Sequence, residues 1–300
     1  MKKTLPLIVI TGPTASGKTA LAIEIAKKYN LEIISADSRV VYKDLDIVSA
    51  KPSIDERKNV VHHLIDIRSV NEGIYSAGNF VRDSKEIIEK NNKPFVIQGG
   101  TWFYIKSLLD DKNLIEFGEN KELRSELSKL SNDELYKILK SKDLKRAELI
   151  HKNNRDKIIR SIELIEAIGG KLSEYEREDN IEYKALWFMN DIDREILYEK
   201  INLRVDTMMK DGLFEEWKRN SEKYRRGYEI LFNTIGYREF YYLQDGIYKD
   251  KNEAVLKIKQ HTRNFAKRQL TWFKQNIEKF KINLIGSLDE ILRVLEQQGF

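Results

Sequence analysis

Residues Gly12-Pro13-Thr14-Ala15-Ser16-Gly17-Lys18-Thr19 fit the pattern G-x-x-x-x-G-K-[ST]. An apolar run at residues 5–10 precedes them, and a helical pattern at residues 20–29 follows. In that setting backbone N–H groups converge on phosphate oxygens, and the positive end of the helix dipole faces the same point. Lys18 adds a full charge, and the Thr19 hydroxyl suits a magnesium ion, Mg2+. The run therefore reads as a phosphate or pyrophosphate site. A kinase, an NTPase and a pyrophosphate-releasing transferase all fit it.

The elements that must position this loop alternate. Strand-like runs fall at residues 5–10, 31–35, 63–67 and 94–98, with helical patterns at 20–29 and 76–91. That order predicts an α/β fold, a P-loop NTPase-like parallel sheet flanked by helices. Residues 120–176 carry no strand-like run and read as short charged helices. Strand character returns at 184–189, and long helical stretches follow at 194–223 and 252–279, with a last strand at 282–285. The expected organisation is an α/β core from residues 1–115 and 184–300, with an inserted all-helical module at 116–183.

Composition narrows the field. The 300 residues include 41% hydrophobic ones, enough for a packed core. No apolar run approaches the ~20 residues of a membrane span, and the run at 5–10 is short for a secretory leader. A soluble, cytoplasmic protein, monomeric by default, is expected. Without cysteine there are no disulfides, no Cys-ligated zinc and no thiol nucleophile. His62, His63, His151 and His261 lack the spacing of a helical metal site. The first two read as a structural pair, and no role is assigned to the others.

Net charge is +5, but residues 251–281 hold 9 Lys or Arg against 2 acids. A basic helix of that density suits a polyanionic partner. On it Arg263, Lys267, Leu270 and Lys274 fall on one stripe, while Val255, Ile258, Phe265 and Trp272 are expected to pack on the core.

Further short segments complete an ordered set. They are Asp37-Ser38, Ser49-Ala50-Lys51-Pro52, His62-His63-Leu64-Ile65-Asp66, Gly99-Gly100-Thr101 with Tyr104, and Arg160. Later come Arg204-Val205-Asp206, Gly212-Leu213, Ile235-Gly236-Tyr237-Arg238-Glu239, Thr262-Arg263, Ala266-Lys267-Arg268-Gln269 and Thr271-Trp272-Phe273. From Leu5 to about Ile285, this set closely resembles the bacterial tRNA dimethylallyltransferases. Three positions depart from the usual pattern: Val40 replaces a common Gln, Ser49 a Thr and Trp102 a Gly. Val40 removes a side-chain amide near the target base, and Trp102 is expected to narrow the prenyl pocket or pack the loop.

The resemblance implies transfer of a dimethylallyl group from dimethylallyl pyrophosphate to N6 of the adenosine 3′ of the anticodon, in tRNAs reading codons that begin with U. It implies that Gly12 to Thr19 and Arg204 hold the pyrophosphate, and that the insertion helps clamp the anticodon stem-loop. It places RNA contacts at Asp37, Ser38, Arg39, Val40 and Thr101, at Arg124, and at Asp156, Lys157, Ile158, Ile159 and Arg160. Others fall at Asn233, Thr234, Ile235, Gly236, Tyr237 and Arg238, and at Lys267, Arg268, Gln269, Thr271, Trp272 and Lys274. Asp37, at a strand's carboxyl end beside the phosphate loop, is the candidate base, with an N-cap or a ligand of Mg2+-bound water as its alternatives. Lys18, Arg204 and Thr101 complete the candidate catalytic set. Arg204 could instead pair with Glu199 or Asp206, and Thr101 could be a helix cap. Competing readings are a small-molecule kinase or NTPase, a prenyltransferase for free adenine nucleotides, and a non-catalytic RNA-binding protein.

Overall fold

The computed structural model describes residues 3–109, 118, 120–175 and 181–300. The chain opens with β1 (Lys3–Thr11), α1 (Lys18–Lys28), β2 (Glu32–Ser35), β3 (His62–His63), α2 (Ala77–Asn91), β4 (Phe95–Gly99) and α3 (Trp102–Leu109). Four helices follow: α4 (Lys121–Ser128), α5 (Asn132–Lys142), α6 (Leu144–Glu148) and α7 (Arg155–Ile168). Then come β5 (Ile181–Asn190), α8 (Arg194–Lys210), α9 (Leu213–Lys223), α10 (Tyr228–Phe232) and α11 (Tyr237–Gln244). The chain closes with α12 (Lys251–Phe280), β6 (Asn283–Ile285) and α13 (Leu288–Gln297).

The six strands form one parallel sheet in the order β3-β2-β4-β1-β5-β6. Helices cover both faces, so the central strands are apolar on both sides. Leu7, Ile8 and Val9 of β1 and Phe95, Val96 and Ile97 of β4 are fully buried. Ala22 and Ile25 of α1 and Ile291 and Leu295 of α13 pack with Ile8, Ile33, Val96 and Phe188. Burying each of the larger of these side chains is worth about 1.5–3 kcal/mol. No described helix is long and apolar enough to cross a membrane.

By compactness the chain divides into Met1–Leu109 with Ile181–Phe300, and Asp110–Asn180. The second unit has a core of its own, with Leu135, Leu139, Ala147 and Ile158 fully buried. Its helices begin at Asn120, Ser131, Asp143 and Asn154, whose side chains accept N–H groups of the first turn.

Several elements differ from the sequence reading. β5 starts at Ile181, so residues 181–183 belong to the sheet rather than to the helical insertion; residue 116 lies outside the described residues. The strand expected at 63–67 stops at His63, because Leu64 and Asp66 adopt positive φ. The stretch 194–223 is two helices, broken where Gly212 takes φ 97°. The expected core face of α12 is also rotated: Ala254, Ile258, Ala266, Gln269 and Phe273 are buried, whereas Phe265 is exposed.

The sheet's carboxyl edge is drawn together at Gly99. A Cβ there would stand 2.0 Å from the carbonyl oxygen of Ala36, so only glycine lets β4 approach the end of β2 this closely. The Thr101 N–H then donates to that oxygen (3.2 Å), which sets Thr101 beside Asp37 and Ser38.

Candidate active site

A cavity of about 450 Å³ opens at this edge. That volume suits a small ligand or one nucleotide-sized group. Its walls come from the phosphate loop, the ends of β2 and β4, the segment 48–52, α8, the turn before α11, and α12. They carry the cations Lys18, Arg39, Arg204, Arg238 and Arg268, and among the described residues Asp37 is the single acid in the lining.

At one end is the loop. α1 begins at Lys18 behind Gly17, whose φ of 83° favours glycine, and no side chain caps its first N–H groups. Thr14, Lys18 and Thr19 line the cavity; Gly12, Pro13, Ala15, Ser16 and Gly17 shape the turn behind them. The Lys18 ammonium donates to the Pro13 carbonyl at 3.0 Å. Lys18 is pushed down to about 8: burial is the main cause, nearby Arg204 adds to it, and Asp37 opposes both. One loop N–H is not free for a ligand, because that of Thr14 donates to Gln269 Oε1 at 2.9 Å.

Arg204 reaches the same end from α8. Its alternative partner Asp206 is engaged with Lys259 at 2.6 Å, and no hydrogen bond or ion pair to a described residue satisfies Arg204. Burial lowers its affinity for a proton, and Asp37 partly restores it. A guanidinium in a cavity wall without a protein partner is a ready anion site.

Asp37 sits where the walls meet. Its Oδ1 accepts the N–H groups of Arg39 (2.8 Å) and Val40 (3.4 Å), so that oxygen caps a turn; no helix begins here for it to N-cap. Oδ2 has no hydrogen-bond partner among the described residues and is left for a ligand. Thr101 Oγ1 accepts the Ser38 N–H (3.2 Å), which keeps its own proton available. Thr19 Oγ1 accepts from Gln98 Nε2 at 3.2 Å. Among the described residues no group of three or more His, Cys, Asp or Glu could cage a metal. One hydroxyl beside a phosphate loop does fit Mg2+, which takes most of its ligands from phosphate oxygens and water.

The opposite wall is made by Ser38, Arg39, Val40, Asn233, Thr234, Ile235, Gly236, Arg238 and Arg268. Arg39 Nη2 donates to the Asn233 carbonyl (3.1 Å) and so ties two of these segments together. Two buried carboxylates hold the wall. Glu216 of α9 accepts the N–H groups of Asp46 (3.0 Å), Ile47 (2.7 Å) and Val48 (3.0 Å) and the Tyr237 hydroxyl (2.8 Å). Glu239 of α11 accepts the Gly236 N–H (2.6 Å), Arg238 (3.1 Å) and His261 (2.6 Å).

Some expected RNA contacts turn inward. Tyr237 is fully buried, its phenol held by Glu216 and Asn220. Thr234 is buried with its hydroxyl on the Ile230 carbonyl, and Ile158 lies in the core of the second unit. Gln269 is 3% exposed and spends both ends of its amide on Thr14 and on the Gly100 carbonyl (2.9 Å). These side chains build the scaffold because each satisfies a buried polar group or fills a core. Lys267, Thr271 and Lys274 are exposed on α12, outside the cavity lining. Trp102 and Trp272 stack on each other, 4.2 Å between ring centroids, so Trp102 packs the loop and does not narrow the cavity. Arg263 leaves the expected cationic stripe to donate to Asn202 at 2.6 Å.

In the second unit, Arg124 and Arg160 converge on Glu163 at 3.0 and 2.5 Å. Burial raises the Glu163 carboxyl, but hydrogen bonds from both arginines outweigh it and hold it below the usual range. Asp156 and Lys157 are exposed there, and Ile159 is partly buried.

His62 and His63 are structural, on the Val60 carbonyl (2.9 Å) and Glu32 (2.6 Å) respectively. His261, given no role from sequence, lines the cavity with Asn264 and Phe265. The missed signal was the spacing 258, 261, 265, 268 and 269, one face of a helix that carries both a buried amide and the cavity wall.

Residues 40–276 match the family model for IPP transferase. The chain belongs to the IPP transferase family. It is 38% identical over 304 residues to the tRNA dimethylallyltransferase of Ligilactobacillus salivarius, covering 97% of each chain. Among solved structures, the tRNA delta(2)-isopentenylpyrophosphate transferase of Staphylococcus epidermidis shares 36% identity. The match covers 98% of this chain and all of that one, with a TM-score of 0.67. A eukaryotic dimethylallyltransferase acting on tRNA matches with a TM-score of 0.79 at 26% identity, over 94% of this chain and 73% of its own.

Proposed function

We propose that this IPP transferase moves a dimethylallyl group from dimethylallyl pyrophosphate to N6 of the adenosine 3′ of the anticodon in tRNA. One observation carries the reading. Among the described residues, Arg204 has no hydrogen-bond or ion-pair partner; it shares a cavity with Lys18 and one carboxylate, Asp37, whose Oδ2 is also without a partner there.

The chemistry follows from that arrangement. N6 attacks C1 of the dimethylallyl group as the C1–O bond breaks, and pyrophosphate leaves with the bonding electrons. An exocyclic amine is a weak nucleophile, so a base that takes its proton as the new bond forms speeds the step. Asp37 Oδ2 is that base, and Oδ1 stays anchored to the turn. Charge builds on the leaving group, where Lys18, Arg204 and the first N–H groups of α1 stabilise it. Thr19 would hold Mg2+, which supplies further neutralisation of the pyrophosphate. The Thr101 hydroxyl steadies the reacting nitrogen. Ser38, Arg39, Val40, Asn233, Ile235, Arg238 and Arg268 receive the target nucleotide, which must leave the loop stack to enter. Arg124, Arg160, Lys267 and Lys274 serve the RNA backbone as cations.

The test is a two-donor comparison. Protein and Mg2+ are incubated with an anticodon stem-loop and labelled dimethylallyl pyrophosphate, or with ATP in its place. Label in the RNA, absent with AMP as acceptor and lost in Lys18→Ala, is the expected result. ATP turnover without prenyl transfer would hand the loop to a kinase or NTPase.

A further inference from the structure

His261 faces the cavity from α12, and no step above uses it. Its Nδ1 lies 2.6 Å from Oε1 of Glu239, a side chain with no exposed surface. With a carboxylate oxygen as acceptor, Nδ1 carries the ring proton. Arg238 Nη2, 3.3 Å from the same nitrogen, donates to that carboxylate oxygen as well (3.1 Å), so both donors converge on Glu239 and neither bonds the other. The ring is thereby fixed in orientation and tautomer, as a second residue commonly does for a functional histidine. In the neutral ring Nε2 is then an acceptor, and it has no partner among the described residues.

Apart from Asp37, the charged groups of this cavity are all donors: Lys18, Arg39, Arg204, Arg238 and Arg268. Those suit phosphate oxygens. A lone pair held by a buried carboxylate suits the opposite chemistry, a neutral N–H or O–H. On an adenosine the donors are N6, which the reaction commits to Asp37, and the sugar hydroxyl; neighbouring bases add their own amino groups.

We propose that His261 is a recognition residue for the RNA: its Nε2, aimed by Glu239, accepts a hydrogen bond from a 2′-hydroxyl or a base N–H of the acceptor loop. This rests on the RNA-modifying reading and names which groups of that RNA the wall distinguishes.

The experiment measures stem-loop binding by fluorescence anisotropy, and transfer kinetics beside it, for wild type, His261→Ala and His261→Gln. One set of RNAs carries single 2′-deoxy substitutions at the target nucleotide and its neighbours. A second set removes one base amino group at each neighbour. His261→Ala is expected to weaken binding and raise the KM for RNA by about 3- to 10-fold, the worth of one hydrogen bond, with the KM for the donor unchanged. One modified RNA should lose the same factor with wild type and lose nothing more with His261→Ala. A 2′-deoxy RNA behaving so identifies the hydroxyl, and an amino-deleted RNA identifies the base. His261→Gln, which keeps an acceptor, should recover part of the loss. Unchanged RNA binding by His261→Ala, or penalties that add in every RNA, overturns the inference. Binding that follows the expected pattern without any prenyl transfer keeps the inference and overturns the reaction.

Discussion

The two ends of the cavity are built in different ways. The end proposed to hold pyrophosphate is mostly local: a run of consecutive residues and the start of α1, joined by one arginine from α8 and tied to α12 through Gln269. The nucleotide end is assembled from segments far apart in sequence. Glu216 binds backbone N–H groups 168 to 170 positions away, and Arg39 reaches a carbonyl 194 positions away. At the first end, charge is placed by backbone geometry. At the second, buried carboxylates place the backbone, and the backbone then places the side chains. A buried carboxylate is stable only while its donors stay in place, so Glu216 and Glu239 each fix one arrangement of the wall. A substitution at the pyrophosphate end should therefore change chemistry, while one behind the nucleotide end should change shape.

The largest effect is expected where the ends meet. Asp37→Ala should lower turnover by about 10²- to 10⁴-fold, the usual worth of a positioned base, with donor binding retained. Isothermal titration with the donor, beside single-turnover transfer, checks both halves; near-normal turnover removes Asp37 from the chemistry.

Next is Arg204→Gln, which tests the separation directly. It should cost about 10²- to 10³-fold in kcat/KM for the donor, by analogy with one lost transition-state donor, and leave RNA binding as it was. An equal loss for both substrates would mean that the two ends are not distinct.

A smaller and opposite pattern is expected of Glu216→Gln. The amide cannot accept all of these hydrogen bonds, and stability should fall by about 1–3 kcal/mol. The KM for RNA should rise, while the donor dissociation constant holds. Thermal unfolding and separate substrate titrations read this out, and an unchanged RNA KM would show that the 46–48 segment does not shape the acceptor wall.

The mildest effect is a pH dependence. Lys18 is lowered to about 8, so its charge is present below that pH and lost as pH rises through it. Donor KM should therefore climb above about pH 8 in wild type. A bound anion favours the charged amine, so the kcat profile should break at a higher pH than kcat/KM. A donor KM that stays flat from about pH 7 to about pH 10 would place Lys18 away from the anion.

The same division explains what could be read in the sequence. The strand, loop and helix at residues 5–29 were legible because their signal is contiguous. So were the sheet class and the helical character of 120–175. The short helices α10 and α11 were not, because five and eight residues carry too little periodicity. α13 was also missed, although Ser287 caps it by accepting the Glu290 N–H. Among the site residues, Lys18, Asp37, Thr101 and Arg204 are legible in the sequence and share the cavity. Tyr237 turns into the scaffold, while Gln269 combines a place in the cavity lining with a buried structural amide. Sequence order brings Tyr237 beside wall residues and cannot say which way each side chain turns. His261, Glu216 and Glu239 went unrecognised for a related reason, since a buried carboxylate is identified by its partners and those lie in other segments.

The most direct test of the account is the chemical identity and position of the product. Anticodon stem-loop RNA treated with protein, dimethylallyl pyrophosphate and Mg2+ would be digested to nucleosides and fragments and analysed by mass spectrometry. The expected product carries one isoprenoid unit on N6 of the adenosine 3′ of the anticodon, formed by wild type and not by Asp37→Ala. An unmodified adenosine, or the same unit on another atom or at another position, would contradict it.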